Sequence, residues 1–361
     1  MLFDLTGPST RTGDLPEPVT LATVYRTWWP LAASWLLMGF EGPAVASVVA
    51  RMAEPKINLA AWGGVVFPLS LMAEAPVIML LAASTALSKD WASYRKIWRF
   101  MMTTSAVMTG LHLLLVFTPL YYVVVRGILG VPEAIVEPAR IGLMIMTPWT
   151  WAIAYRRFQQ GVLIRFGHSR SVGVGTVLRL TTDLTVLAVG YTIGTIQGIV
   201  VATTAVAAGV VVEAIYAGWA VRPVLRDQFS VAPPVEPPLT YRAFYAFYFP
   251  LVLTSLLVLL ALHIGSAALS RMPQPVNSLA VWPVVSGLVS LFRSTAFSLQ
   301  ETTVSLLQDW RNRASLWRFV VGVSAARKTT SATFSSGARS FVTRFVRSFF
   351  SGPFFAFFIV K

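Results

Sequence analysis

The sequence predicts an all-α polytopic membrane protein, with a six-helix first lobe and a partial second lobe that repeats it, in all about eight spans and a fragment. Composition, long apolar runs and an internal repeat lead to this prediction. Of 361 residues, 55% are hydrophobic and only 12% are charged, whereas soluble domains carry about 25% charged residues. Because so few polar side chains cannot coat a globule, lipid must surround most of the chain.

Apolar runs long enough to cross a bilayer follow one another along the chain. A helical span needs about 20 apolar residues. Eight such runs lie at about 28–50, 59–87, 99–125, 139–164, 172–193, 195–221, 243–269 and 278–307. A ninth run begins near Leu316. The runs do not alternate as barrel strands do, and an open strand edge in lipid would leave backbone groups unpaired. We therefore expect each run to be a helix.

Basic residues mark one side of the predicted membrane. They follow the second, fourth and eighth runs: Lys89, Arg95, Lys96 and Arg99; Arg156, Arg157, Arg165 and Arg170; Arg311, Arg313 and Arg318. By the positive-inside rule these loops face the cytoplasm, as do the N-terminus and the linker after the sixth run. The formal charge of +14 follows from this topology, so no nucleic-acid partner is expected. We predict an integral protein of the plasma (inner) membrane.

An internal repeat becomes visible when the sequence is shifted by 220 residues. The shift places Trp29-Pro30-Leu31 on Phe249-Pro250-Leu251 and Arg51-Met52 on Arg271-Met272. Since six spans separate the copies, both should have the same orientation, as in parallel transporter repeats. The predicted domains are a cytoplasmic tail 1–24, the first lobe 25–222, a Pro-rich cytoplasmic linker 223–242, the partial second lobe 243–324 that repeats 25–104, and a basic, aberrant tail 325–361.

The last segment departs from this pattern. After about Ser324 the sequence becomes rich in Ser, Thr, Arg and Phe, and no Asp or Glu occurs after Asp309. We expect that the native reading frame is lost near Ser324 and that the rest of the second lobe is missing. A divergent basic tail is the alternative.

Charged side chains inside the apolar runs are candidates for a transport pathway. A charge at mid-bilayer is unfavourable by about 2.5–3.5 kcal/mol, so it needs a partner, a cavity or a function. Glu41 lies halfway along the first run and is followed by Gly42 and Pro43, while Glu74 precedes Pro76 in the second. Either carboxylate could relay a proton or a cation. A hydrogen-bonded carboxylate that only serves packing is the alternative.

Further charges lie in the later runs. Arg179 and Asp183 are four residues apart and can pair on one helical face. Glu213 has no such neighbour and must find a partner on another span. After a register gap, Arg293 is the second-lobe counterpart of Glu74, with Glu301 two turns beyond it. The pathway candidates are therefore Glu41, Glu74, Arg179, Asp183, Glu213, Arg293 and Glu301.

Arg156 and Arg157 end an aromatic stretch that runs from Trp149 to Tyr155. One expectation is that both side chains extend to the cytoplasmic interface, as long basic side chains do near helix ends. The other is that they bind an anion at the mouth of a cleft, because guanidinium groups suit phosphate and carboxylate oxygens.

Nothing in the sequence indicates catalysis. The chain has no cysteine, and its three histidines are scattered, which excludes disulfides, thiolate metal sites and a zinc cluster of the usual kind. We therefore expect no enzyme, no metal and no cofactor.

Three local patterns carry a family resemblance: Trp29-Pro30-Leu31 with Phe40-Glu41-Gly42-Pro43, the segment from Phe67-Pro68 to Glu74-Ala75-Pro76, and Pro138-Ala139-Arg140 with Pro148. They resemble the MATE-like transporters of the multidrug/oligosaccharidyl-lipid/polysaccharide flippase superfamily, especially progressive ankylosis-type proteins. The resemblance covers about residues 25–320.

The resemblance implies a V-shaped, two-lobed secondary transporter or flippase that works by alternating access. Such a protein lies among membrane lipid and moves a small organic ion or a lipid-linked substrate, often as an antiporter against a proton or sodium gradient. We expect this chain to depart from the family by lacking the last three to four spans. A non-transporting truncated membrane protein or a scaffold is therefore the alternative.

Overall fold

All secondary structure in the described part of the chain is helical. The computed structural model describes residues 20–229, 231–306 and 315–322. The α-helices are α1 Leu21–Val49, α2 Pro55–Ala61, α3 Phe67–Glu74, α4 Leu80–Leu87, α5 Trp91–Phe117, α6 Leu120–Tyr122, α7 Glu133–Ile145, α8 Thr147–Arg165, α9 Ser169–Ile193, α10 Gly198–Ala220, α11 Tyr241–Leu269 and α12 Pro275–Leu306. Three π-helical stretches are Trp62–Val66, Val123–Ile128 and Val224–Gln228. Residues 315–322 are also helical.

Helical segments lie at each of the eight predicted spans, but the second, third and fourth spans are interrupted beside prolines. The second span consists of α2, a π-helical stretch, α3 and α4, and α3 ends at Glu74, two residues before Pro76. The fourth is divided at Met146, just before Pro148 near the start of α8. Proline removes a backbone donor and disfavours helical geometry in the residue before it. Glu74 therefore lies at a helix end, beside an interrupted backbone.

The third span begins earlier and ends earlier than the sequence predicts. It was expected over 99–125, but α5 starts at Trp91, because the side chain of Asp90 caps it, and it stops at Phe117, just before Thr118-Pro119. As a result, the basic residues that seemed to form a loop lie on the first turns of a helix: Arg95, Lys96 and Arg99.

Within the predicted linker 223–242, the helical segment of the sixth span continues through Val224–Gln228, and α11 begins at Tyr241. The predicted tail 325–361 and most of the predicted tail 1–24 lie outside the described residues.

Burial distinguishes two largely uncovered helices from two helical segments that are mostly enclosed by others. Four helical segments in the described residues are long and apolar enough to cross a membrane: Pro55–Glu74, Trp91–Phe117, Ser169–Ile193 and Gly198–Gln228. The first and last of these are 67% buried and the other two are 22% buried. Trp35–Val49 and Pro275–Leu291 are shorter apolar stretches. The described part of the protein therefore leaves most residues of α5 and α9 uncovered, as is expected of helices that face lipid.

The chain divides into two compact units. One is Ser34–Thr295, and the other comprises Met1–Ala33 with Ala296–Lys361. In the described part of the second unit, the start of α1 packs on the helix 315–322 through aromatic rings. Phe319 meets Trp28 at 5.5 Å and Tyr25 at 6.5 Å between ring centroids, both edge to face. Such contacts stabilise by about 0.5–1.5 kcal/mol each beyond area burial.

In the larger unit, α8 and α10 form the centre, and their polar groups find partners on neighbouring spans. Asn58 in α2 accepts a hydrogen bond from the backbone N–H of Ile199 at 3.0 Å, which satisfies a donor at the start of α10. His112 in α5 binds Thr150 at 2.9 Å and the carbonyl of Leu143 at 3.0 Å. Buried polar groups are thus tied across helices, as a low-dielectric interior requires.

The bounds of two helix pairs are offset by the same interval as the predicted sequence repeat. Helices α1 and α11 each contain 29 residues and start at Leu21 and Tyr241. Helices α2 and α12 start at Pro55 and Pro275. In the turns between them, Arg51 donates to the carbonyl four residues before it at 2.5 Å, and Arg271 does the same at 2.7 Å.

Asp90 joins the start of α5 to the Pro-rich linker. One carboxylate oxygen accepts from the backbone N–H of Ser93 at 2.9 Å, and the other accepts from the N–H of Val235 at 3.1 Å. Nearby, the Lys96 ammonium donates to the carbonyl of Leu239. Burial by itself would raise the pKa of Asp90, but the hydrogen bonds outweigh it and lower the pKa below its ordinary value of 3.8.

Replacing Asp90 by alanine should lower the free energy of unfolding by about 1 kcal/mol at pH 7, the usual loss for a helix cap. Because folding depresses the pKa of this carboxyl, its contribution is complete above the ordinary value. It should disappear as the pH falls through the depressed pKa, below 3.8. Thermal midpoints of the detergent-solubilised protein, recorded from pH 7 to pH 3, measure the difference between wild type and Asp90→Ala.

Thr240 provides a matched control, because its hydroxyl caps α11 by accepting from the N–H of Ala243 at 3.2 Å and does not titrate. The effect of Thr240→Ala should be independent of pH. A difference for Asp90→Ala that stays constant down to pH 3 would contradict the assignment.

Candidate functional site

Charged and amide side chains from four helices meet inside the larger unit. We call this set the ionic cluster, and its members are Glu41 of α1, Arg156 and Gln160 of α8, Arg179 and Asp183 of α9, and Glu213 of α10. On both α8 and α9, residues four apart point to one face of the helix, so each helix presents two polar groups to its neighbours. The predicted candidates on α1, α9 and α10 are thus brought together.

Glu213 is the most buried member of the ionic cluster. Its Oε2 accepts from Arg156 Nη1 at 2.6 Å, and its Oε1 accepts from Gln160 Nε2 at 2.9 Å. The side chains of Arg156 and Glu213 are 3% and 0% exposed. A buried ion pair is tolerated when additional hydrogen bonds serve its remaining oxygens, and Gln160 provides one here. The expectation that Glu213 binds a residue of another span is confirmed.

Arg179 interacts with three carboxylates. Its Nη2 donates to Glu41 of α1. Its other nitrogens lie 3.9 Å from Asp183 Oδ2 and 3.9 Å from Glu213 Oε2, which is too long for a hydrogen bond. The predicted pairing of Arg179 with Asp183 is therefore loose, and the direct bond goes to Glu41, which the sequence did not indicate.

Asp183 is buried without a hydrogen-bond donor. Its side chain is 2% exposed, and neither carboxyl oxygen has a partner within hydrogen-bonding geometry. The carboxyl group lies against the backbone of α10 at Gly209, where a Cβ atom would overlap Oδ1 and lie 2.7 Å from Cγ. Only glycine leaves room for the carboxyl group at this point.

A small cleft opens onto one side of the ionic cluster. Its volume is about 10 Å³, which is room for about one water molecule, and its lining consists of Leu37, Met38, Glu41, Thr176, Arg179, Leu180 and Asp183. Three charged members of the ionic cluster therefore line an opening, whereas Arg156 and Glu213 lie behind them. Glu41, Arg179 and Asp183 thus border the cleft, whereas Arg156 and Glu213 form an enclosed ion pair.

Glu74 and Arg157 lie near the ionic cluster but do not bind it directly. Glu74 is 2% exposed, and the cations near its carboxylate are Arg157, Arg156 and Arg179. Arg157 is half-buried, and its Nε is buried without a hydrogen-bond partner. Neither residue forms a salt bridge within 4.0 Å to a described residue.

The remaining predicted candidates are placed differently. Arg156 does not extend to the interface, and that expectation is wrong for it, because α8 turns this residue toward α10 and Glu213 engages it. Arg293 is exposed on α12 and has an interaction partner. The backbone of Glu301 belongs to α12, but its side chain lies outside the described residues.

Two members of the site were missed by sequence reasoning. Gln160 could have been found, since an amide in an apolar segment, four residues after an arginine, shares its face. Gly209 gives no such signal, because glycine is common in membrane helices. In the described part of the chain, no group of three or more His, Asp or Glu residues has the arrangement of a metal site.

No family model matches the sequence, and no curated protein matches it. A solved structure described as the inward-facing conformation of a multidrug resistance MATE family transporter of the MOP superfamily is similar in fold. The TM-score is 0.57 over 84% of this chain and 70% of that chain, at 16% sequence identity. At this identity the likeness establishes the fold. The chain is thus an integral, polytopic membrane protein with a MATE-like arrangement of helices.

Proposed function

We propose that this chain is a MATE-like secondary transporter or flippase that moves a small organic ion or a lipid-linked substrate by alternating access. The observation that carries the proposal is the ionic cluster, whose members Glu41, Arg179 and Asp183 line a cleft. Charges that serve only packing need no access, and intramembrane charges that line a cavity typically belong to ion or substrate pathways.

The charge balance supports coupling to a cation. The ionic cluster with Glu74 and Arg157 contains four carboxylates against three guanidinium groups. A bound proton or sodium ion would compensate the excess negative charge. Asp183 is the site we assign to it, because its carboxyl oxygens receive no hydrogen bond and an uncompensated buried carboxylate is strongly unfavourable.

Arg179 would transmit the binding event. While Asp183 is ionised, it competes with Glu41 and Glu213 for the same guanidinium group. Neutralising Asp183 removes one competitor and strengthens the bond between Arg179 and Glu41, which joins α9 to α1. A cation bound at α9 would then bias the position of α1, and such a bias is what coupling between sites requires.

The topology belongs to the same proposal. We place the N-terminus and the Pro-rich linker in the cytoplasm and the protein in the plasma (inner) membrane, and we propose a kinship with progressive ankylosis-type proteins. The matching offset of α1 with α11 and of α2 with α12 supports a parallel repeat, as expected for the two halves of a transporter.

Uptake by proteoliposomes tests the proposal. The full chain is reconstituted, a proton or a sodium gradient is imposed, and uptake of radiolabelled tetraethylammonium and p-aminohippurate is measured. We expect one gradient to drive at least one probe, and Asp183→Asn to abolish the gradient dependence while leaving exchange without a gradient. Glu133→Gln, a change at a side chain that is 71% exposed, is the control. Gradient-independent behaviour that is the same in wild type and Asp183→Asn would refute coupling at this site.

A further inference from the structure

Glu74 and Arg157 are the buried charges that the proposed coupling step does not use. Glu74 receives no hydrogen bond from a described residue, although it is 2% exposed. Arg157 Nε is buried and also has no partner. By contrast, the nearby carbonyl of Pro76 is satisfied, because the Tyr248 hydroxyl of α11 donates to it at 2.5 Å. The backbone carbonyl at the interruption therefore has a hydrogen-bond partner, whereas the two charged groups have none among the described residues.

Helix geometry places the two charges on facing surfaces. Gly161 of α8 lies against span two, where a Cβ atom would come within 2.6 Å of the carbonyl oxygen of Leu81. Arg157 is one turn before Gly161 on the same face of α8. It therefore faces span two about one turn before Leu81, in the interval that follows Glu74.

The separation of the two charges excludes a direct ion pair. No nitrogen of Arg157 lies within 4.0 Å of the Glu74 carboxylate, and Glu74 is buried while Arg157 is half-buried. A buried charge needs a compensating partner. A ligand with one charge would compensate only one of the two groups, whereas a ligand that carries an ammonium and an acidic group would compensate both.

We propose that Glu74 and Arg157 form a binding site for a small zwitterion, with its ammonium at Glu74 and its carboxylate or phosphate at Arg157. The site would define the substrate class of the transporter, so its role depends on the proposed function, but its existence can be tested without transport. The acidic group suits arginine, whose planar guanidinium recognises carboxylate and phosphate oxygens.

Binding to the full chain in phosphatidylcholine nanodiscs tests this site. The probes are L-alanine and O-phosphoethanolamine, and the singly charged fragments are ethylamine, acetate and inorganic phosphate. Because a hydrogen bond to a charged group contributes about 1.5–3 kcal/mol, we expect a zwitterion to bind about 10- to 100-fold more tightly than either of its fragments, as measured by calorimetry.

Substitutions test which residue binds the ammonium group of the zwitterion and which binds its acidic group. Glu74→Gln should weaken the zwitterion and ethylamine but not phosphate, and Arg157→Gln should weaken the zwitterion and phosphate but not ethylamine. Glu133→Gln is the matched control on an exposed carboxylate. If Glu74→Gln does not fold, Glu74→Asp keeps the charge and withdraws it by one methylene, and it should weaken the zwitterion alone.

A second arm distinguishes a free solute from a lipid headgroup. If the lipid is the natural ligand, adding phosphatidylethanolamine to the nanodiscs should lower the apparent affinity for O-phosphoethanolamine. If the natural ligand is a free solute, the affinity should not change. Both results require that the site exists. Equal affinity for zwitterions and fragments, no binding at all, or binding unaffected by both Glu74→Gln and Arg157→Gln would overturn the proposal. If gradient-driven uptake of tetraethylammonium persists while no zwitterion binds, only this inference fails, and the proposed transporter stands.

Discussion

Glu213→Leu should destabilise the protein by about 3–5 kcal/mol, because it leaves the guanidinium group of Arg156 buried without its partner. The two side chains are 0% and 3% exposed, so water cannot replace the lost contact. Gln160 would also lose its acceptor. We expect a large drop in the thermal midpoint of the detergent-solubilised protein and a loss of assembled protein in membranes.

The pair of Arg126 and Glu133 provides the matched control, because it has the same chemistry with side chains that are 46% and 71% exposed. Glu133→Leu should change stability by no more than about 1 kcal/mol. The double variant Arg156→Met with Glu213→Leu should recover most of the stability, since an apolar replacement of a buried pair is often neutral. If the double variant is as unstable as Glu213→Leu alone, loss of pairing is not the cause.

Gly209→Ala should disrupt the ionic cluster by placing a methyl group of α10 against Asp183 of α9. The added methyl group would overlap Asp183 Oδ1 and lie 3.1 Å from Arg179 Cγ, so α9 and α10 must separate or Asp183 must leave its position. Overpacking of this kind typically destabilises by about 1–3 kcal/mol. In the proposed transporter it should also abolish gradient-driven uptake, because the carboxyl group can no longer occupy its place beside Arg179.

Gly173→Ala, on α9, is the control, because nothing lies within 4 Å of its added methyl group. Its effect should be neutral or stabilising by about 0.5–1 kcal/mol, the usual advantage of alanine in a helix. Removing the carboxyl group in the double variant Gly209→Ala with Asp183→Ala should relieve the overlap and restore the melting temperature. Failure of that rescue would place the strain elsewhere on α10.

The membrane class and the helical spans could be predicted from the sequence because both depend on composition over long windows. The helix ends were harder to predict. Asp90 precedes α5 as a typical N-cap. The basic residues that follow it, however, are also typical of a cytoplasmic loop, so the start of the helix is ambiguous in the sequence. The π-helical stretch at Trp62–Val66 has no sequence signature in this chain.

Most charged members of the candidate site could be predicted from the sequence, but Gln160, Gly209 and the connections between members could not. Arg179 and Asp183 share a face by spacing alone, and Glu213 was expected to seek another span. The bond from Arg179 to Glu41 joins residues 138 positions apart, so only tertiary packing decides it. Likewise, the close approach of Asp183 to Gly209 depends on how α9 and α10 are rotated, and helix rotation cannot be read from an apolar sequence.

The contact between Asp90 and the linker gives this protein a natural reporter for hydrogen exchange. Proline has no amide hydrogen, so in the segment Pro233-Pro234-Val235-Glu236-Pro237-Pro238 only two backbone amides exchange. One of them, that of Val235, is held by the Asp90 carboxylate. The deuterium content of this short peptide therefore reports almost directly on whether the linker is attached to the start of α5 or released from it, without any label being introduced.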